Sequence, residues 1–423
     1  MKTGICLPIT ATAAALLVAT PTLVAQQVVE VTARDRHIKP DFDEVYRVGV
    51  IEGETWEMFA EVKSVGFDGA GNLYVFDRSG DANSSDARIV VFDRTGAFVR
   101  EFGSAGEGPG EFKDPRDILV YRDGTTVVED NGHDAYQIFD PSGMFVRMVR
   151  MAETDSKLVV LTDVFADPRG GAVYKPGHGG RAGDAPGSRP VTRLGLAGEE
   201  VDTDTVALGW LPPRGDEEIE ADIQVLGGSF SLSDAFKGVA LPTEFEPELL
   251  VGVMPDGGLV YSDSSAYALK ITPPDNPEVR RIITRPIHPE PVTESIRKGY
   301  RERRAGRRTR TDTSSVTTDQ GERVPIGFSL ELPEPTFFPE IPVVRALSAT
   351  WEGRLWVQRR GEEPRSDGPI DILNAEGDYL GTFRTGTTKI PDAFGPDGMA
   401  AFIELGEFEV ASVVVRRLPE AMR

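Results

Sequence analysis

The sequence predicts an all-β protein, a six-bladed β-propeller of four-stranded antiparallel blades with a helical and irregular insertion before the fifth blade. Three observations predict it. A strand–turn–strand unit recurs six times, as FDGAGNLYVFD (67–77), YRDGTTVVED (121–130), ADPRGGAVYKP (166–176), MPDGGLVYSD (254–263), TWEGRLWVQ (350–358) and GPDGMAAFIE (395–404). In each, a glycine-bearing turn is followed by a run of apolar, aromatic or branched residues, the mark of strands joined by tight hairpins. A second hairpin trails most units, with its turn at 93–96, 140–143, 196–198 or 374–377, and 273–277 takes that place in the fourth. Two hairpins make a four-stranded sheet, and six such sheets in series read as a propeller rather than a sandwich. Finally, 45 Gly and 31 Pro in 423 residues suit a chain of many short strands.

Taken in order, residues 1–25 read as a secretory signal: Lys2, an apolar stretch over 11–19, then Leu23, Val24 and Ala25 before Gln26. The stretch falls short of the roughly 20 residues that span a bilayer, so export to the periplasm or outside the cell, without stable membrane insertion, is expected. The single cysteine, Cys6, lies in this segment, so disulfides and thiol chemistry are excluded from the remainder. Residues 26–41 form a lead-in to a propeller over 42–423. The net charge of −22 disfavours nucleic acid as a partner. A lone strand at 44–50 lacks a local mate, while the last blade, ending in a strand at 410–416, is short of one. Pairing them closes the ring and removes open edges.

The repeat spacing is uneven. Residues 211–247 are rich in Pro, Gly and acidic residues and read as inserted loop, a degenerate seventh blade within 205–247 being the other reading. Residues 286–342 also interrupt the pattern. Thr293 is placed to cap a helix on which Val292, Ile296 and Tyr300 share one face. Residues 297–310 carry eight Lys and Arg against Glu302 alone; 309–321 read as a polar, mobile loop, and 325–342 as a proline-punctuated return over the sheets. The whole insertion is expected to cover one mouth of the ring.

The linker FGSAGEGPGEFKDPRDILV (102–120) resembles the NHL-repeat hallmark, a glycine-rich loop followed by Pro-Gly-x-Phe and a proline before the next inner strand. The runs at 73–96 and 127–143 are similar to the NHL pattern of an Asp closing the second strand and a "vFd…G" hairpin after it. The layout resembles the exported six-bladed propellers of bacterial genomes, which implies the same fold. An amidating lyase with a metal in its channel belongs among animal relatives of that propeller. The resemblance departs there: Asn131 and His133 are separated by Gly132, the first blade offers only Asn83, and the imidazoles needed for the metal are not evident. That activity is not carried over.

Candidate binding residues follow from the repeat. Asp77, Asp130 and Asp263 end equivalent strands, so propeller symmetry places them around one face near the axis. Such a ring could hold a hard cation through oxygen ligands, or each Asp could accept backbone N–H groups in the turn after its strand. The other blades offer Lys175, Arg359 and Leu405 there, a mixed rim that suits a polar organic ligand. His37, His133, His178 and His288 are scattered without a ligand spacing, but His178 sits in a glycine-rich loop at a blade end, where binding residues concentrate. The glycines of 103–110 lack the Lys-Ser/Thr and helix of a phosphate loop, and no GxSxG occurs. Arg301, Arg304, Arg307 and Arg308 could receive an acidic partner, or pair with the acidic propeller they cover. The leading reading is a monomeric binding scaffold for a small polar ligand or an envelope protein, with no cofactor. The alternative is a hydrolase or lyase using a divalent cation such as Ca2+ in the channel. Any activity is expected where the repeat fails, at 176–189 and 288–342.

Overall fold

Alternation decides how the blades pack. In the first blade Leu73 and Val75 point towards the sixth blade, while Tyr74 and Phe76 point towards the second, and all four are at most 1% exposed. Burial on both faces is why these strands read as continuous apolar runs. The same division repeats around the ring, giving one apolar core per junction, six in all. The computed structural model describes residues 26–78, 87–151, 163–179, 186–214, 220–225, 228–231, 243–305, 309–317, 323–331, 334–406 and 410–423.

The first blade comprises Val62–Phe67, Leu73–Arg78, Ala87–Phe92 and Phe98–Phe102, and the second Pro115–Val120, Thr126–Asp130, Ala135–Phe139 and Phe145–Arg150. Phe165–Ala166, Ala172–Pro176, Ser188–Gly195 and Asp202–Trp210 form the third. The fourth is Leu250–Val253, Leu259–Ser262, Ala268–Thr272 and Arg281–Thr284, and the fifth Val344–Ala349, Arg354–Arg360, Asp367–Asn374 and Tyr379–Phe383. The sixth takes Ala393–Phe394, Met399–Leu405 and Ala411–Arg417, and its outer strand is Asp43–Val48, antiparallel to Ala411–Arg417. Ring closure by the lone N-terminal strand thus follows the expectation.

The lead-in does more than lead in. Gln27–Glu30 adds a parallel fifth strand to the fourth blade, and His37–Ile38 does the same for the fifth. Between them Asp35 reaches a buried group of charges. Arg285 Nη1 lies 2.7 Å from Asp371 Oδ2, Arg285 Nη2 3.1 Å from Asp35 Oδ1, and Arg359 Nη2 2.6 Å from Asp35 Oδ2. Residues 27–48 therefore form a belt over the rims of blades four, five and six.

Both interruptions of the repeat are more regular than their composition suggests. Among the described residues of 211–247, Glu220–Val225 and Gly228–Ser231 form an antiparallel pair where loop was expected, and they join the cap rather than a seventh blade. Residues 309–321 likewise hold a strand, Thr309–Thr317, which pairs with Arg323–Glu331, and that strand pairs with Glu220–Val225. Two insertions thus share one four-stranded sheet. Helix α1 (Glu294–Ala305) begins as expected at Thr293, whose Oγ1 accepts from Ile296 N at 3.4 Å. Its Val292–Ile296–Tyr300 face packs on Phe245, Ile341, Phe337 and Phe338, a small core belonging to this cap alone. No helix among the described residues is long and apolar enough to cross a membrane.

The glycine-rich linker is a packing device. Gly103 has φ +83°, and a Cβ there would lie 2.2 Å from the ring of Phe112, which is 0% exposed between blades one and two. We expect Gly103→Ala to cost about 1–3 kcal/mol from the backbone alone, and more through displacement of Phe112, measurable as a lowered midpoint in urea. A change within 0.5 kcal/mol would show that the linker has room to relax.

Candidate ligand site at the capped mouth

In an antiparallel blade the loops that enter the innermost strand and those that join the second and third strands emerge on the same face. Both insertions enter innermost strands, of the fourth and fifth blades, so both gather on that face. A cavity of about 980 Å³ opens beneath them. Its floor is apolar, from Phe165, Leu250, Val251, Val344 and Leu347 at the starts of three innermost strands, and its walls are charged.

Five arginines and five acids share the walls, the arginines positioned by different devices. Arg189, 4% exposed, projects from the third strand of blade three; its Nε, Nη1 and Nη2 donate to the carbonyls of Trp210, Pro247 and Asp263 at 2.9, 2.8 and 3.4 Å. Burial lowers its pKa from the usual guanidinium range, opposed by the charges of Glu246 and Asp263. Arg214 grips Glu246, Nη2 to Oε1 at 2.6 Å and Nε to both oxygens at 3.2 and 3.1 Å. Such forked, charge-assisted pairs hold geometry well. Glu244 takes two arginines at once: Arg304 of α1 at 2.6 Å on Oε1 and Arg365, from the loop of blade five, at 2.5 Å on Oε2. The Arg365 guanidinium also lies 5.6 Å from the ring centre of Phe245 and 5.3 Å from that of Tyr300. Phe245 itself holds φ +65°, unusual for a side chain of that size. Burial, then Glu244, raises the Tyr300 phenol above its ordinary range.

Of the described residues singled out from sequence, His178 and Arg304 line this cavity and the others do not. Asp77 accepts from Ala60 N and Glu61 N at 2.8 and 3.1 Å and pairs with Arg88. Asp130 accepts from the backbone of Lys113, Asp114 and Gly132 and from His133 and Gln137. Asp263 accepts from Trp210 N and Lys270 Nζ, each at 2.7 Å. Asp77 and Asp130 hold the chain entering their own blades, Asp130 alone also accepts from the turn after its strand, and Asp263 holds the end of the outer strand of blade three. Among the described residues no three His, Cys, Asp or Glu are grouped to hold a metal ion. Lys175 Nζ lies 3.5 Å from Glu129 Oε1. Arg359, placed by sequence on a ligand rim, instead belongs to the buried group with Asp35 and Asp371. Arg301 is exposed, 3.2 Å from Glu294 and over Phe337; Arg307 and Arg308, like residues 1–25, fall outside the described residues.

Deeper in the channel wall, burial pushes Asp117 up to about 6, with Glu129 and Asp163 adding to the effect. The cavity residues that sequence reasoning missed are Arg189, Arg214, Glu244, Glu246, Arg345 and Arg365. Arg189 alone left a trace, as a charge inside the apolar alternation of SRPVTRLG.

The chain is a six-bladed β-propeller. Its residues 24–151 match the family DUF5128, described as a 6-bladed beta-propeller. No curated protein matches it. Among solved structures, the propeller is similar to a putative exported protein from Bacteroides fragilis NCTC 9343, 10% identical with a TM-score of 0.51 over 93% of this chain and 100% of that one. A member of the duf4221 family from Bacteroides vulgatus is 10% identical, with a TM-score of 0.46 over 90% and 98% of the two chains. Virginiamycin B lyase from Staphylococcus aureus is 11% identical, with a TM-score of 0.37 over 88% and 99%. At these identities the likeness to this propeller is one of fold.

Proposed function

We propose that the protein is an exported, NHL-like propeller that acts as a binding scaffold in the cell envelope, taking a small polar ligand at its capped mouth. The observation that carries this reading is the cavity of about 980 Å³, a volume typical of ligand sites, where an apolar floor meets a few convergent charged groups. Propellers use rigid blades to present variable loops, and here both departures from the repeat converge over one mouth. Export is supported by the signal-like pattern of residues 1–25 and by the fold shared with a putative exported protein. The NHL-like reading is supported by the linker at 102–120, whose glycines and Phe112 build the junction of blades one and two. The hydrolase or lyase alternative lacks a ligand set among the described residues.

Ala346, half-buried on the cavity wall, gives a direct test. Ala346→Trp fills the site from a rigid strand. Small molecules that raise the melting temperature of the wild type should lose that effect in Ala346→Trp while the unliganded melting temperature stays within a few degrees. A compound that stabilises both proteins equally binds elsewhere, and a library in which every stabiliser does so refutes the mouth as the site.

A further inference from the structure

Resting on that reading of the mouth, we infer that the cavity takes an amphipathic anion, its apolar body on the strand floor and its oxyanion head between Arg304 and Arg365. The charge pairing on the walls points there. Arg214 is matched by Glu246, Arg345 by Asp367 at 3.3 Å, and Arg189 by three carbonyls. Arg304 and Arg365, by contrast, share the single carboxylate of Glu244, each through one nitrogen. At this corner two guanidiniums therefore meet one carboxylate, although the lining as a whole sets five arginines against five acids.

Because the two guanidiniums hold the two oxygens of one carboxylate, they converge on a site shaped for an oxyanion, the one that Glu244 fills. Forked guanidinium donors suit carboxylate, sulfonate or phosphate groups. The Arg365 side chain is 60% exposed and that of Arg304 25%, so neither is sealed from an incoming group. Three further acids, Asp163, Glu248 and Glu334, also line the cavity. Asp163 acts on Asp117 of blade two, and Glu248 acts on Arg189 of blade three. Beneath the arginines, Leu250, Val344 and Leu347 offer an apolar bed. Within the free protein Glu244 occupies the place of the ligand head and competes with it.

Two fluorescent probes of nearly equal shape test this. 8-Anilinonaphthalene-1-sulfonate carries an anionic head, and N-phenyl-1-naphthylamine is the same skeleton without it. The neutral substitution Glu244→Gln should tighten the sulfonate about tenfold, and Arg365→Ala should weaken it about tenfold, through loss or gain of charge-assisted bonds. The neutral probe should change less than about twofold in both, and Ala346→Trp should displace both probes. Equal changes of the two probes in both variants, or binding of the neutral probe alone, overturns the anion site while leaving the mouth as a ligand site. Failure of both probes to bind the wild type, or their persistence in Ala346→Trp, counts against the mouth itself. Glu244→Gln keeps the shape of the side chain between the two arginines, so its result stands if Arg365→Ala loosens the cap.

Discussion

Asp371→Ala should destabilise the protein by about 3–5 kcal/mol, the range for removing one partner of a buried ion pair. Asp371 is 0% exposed. Its Oδ2 lies 2.7 Å from Arg285 Nη1 and 3.4 Å from Arg359 Nε, and its Oδ1 accepts from Thr382 at 2.6 Å. Without it two buried guanidiniums face each other with only Asp35 between them. The double variant Asp371→Ala/Arg285→Met, which removes a charge of each sign, should recover part of the loss. Urea unfolding measures both, and a single-variant cost under 1 kcal/mol would mean that water replaces the carboxylate.

The same group makes the belt sensitive to acid. Burial tends to raise the pKa of Asp35, but Arg359 and Arg285 outweigh it and hold the carboxyl below its ordinary range. Its folded pKa is thus lower than its unfolded one. The stabilisation is complete above the unfolded value of about 4 and is lost as the pH falls through the folded value. Asp35→Asn should remove that part of the acid dependence of the melting temperature.

Deleting residues 26–50 should abolish cooperative folding, whereas deleting 26–34 should not. The longer deletion removes Asp43–Val48, which closes the ring. It uncovers the edge of Ala411–Arg417, whose Val413, Val414 and Val415 are 0% exposed. An apolar strand with an open edge recruits another chain, so sedimentation should show large oligomers. The shorter deletion removes the parallel strand Gln27–Glu30, the buried Val31 and the Ala33 carbonyl that accepts from Arg285 Nη2, but leaves the four strands of the fourth blade and Asp35 in place. It should keep the oligomeric state of the full chain, with a lower melting temperature. A monomeric, cooperatively unfolding 51–423 chain would show that five and three-quarter blades suffice.

The blades were legible because period-two alternation and glycine turns are local signals, and the closing strand because a missing mate and a spare strand can be matched on paper. The cap was not. Its strands pair across the whole of the fourth blade, and Thr309–Thr317, TRTDTSSVT, has a composition that reads as loop until Arg323–Glu331 supplies its partner. The site failed for a related reason. Asp77, Asp130 and Asp263 share a repeat position and so were visible, but the repeat gives them a structural duty. Arg365 and Glu244 come from loops 121 residues apart, and no periodicity links them. Arg359 carried a charge at a rim position, yet its partner Asp35 lies in the lead-in, 324 residues away.

The shared sheet of the cap has a historical consequence. Glu220–Val225 is paired on both sides only while Arg323–Glu331 is present, and Thr309–Thr317 hangs on that same strand. A lineage that lost either insertion would leave the other with a bare edge over the mouth. The two segments, far apart in the gene, are thus one heritable unit, and descendants should keep or shed them together.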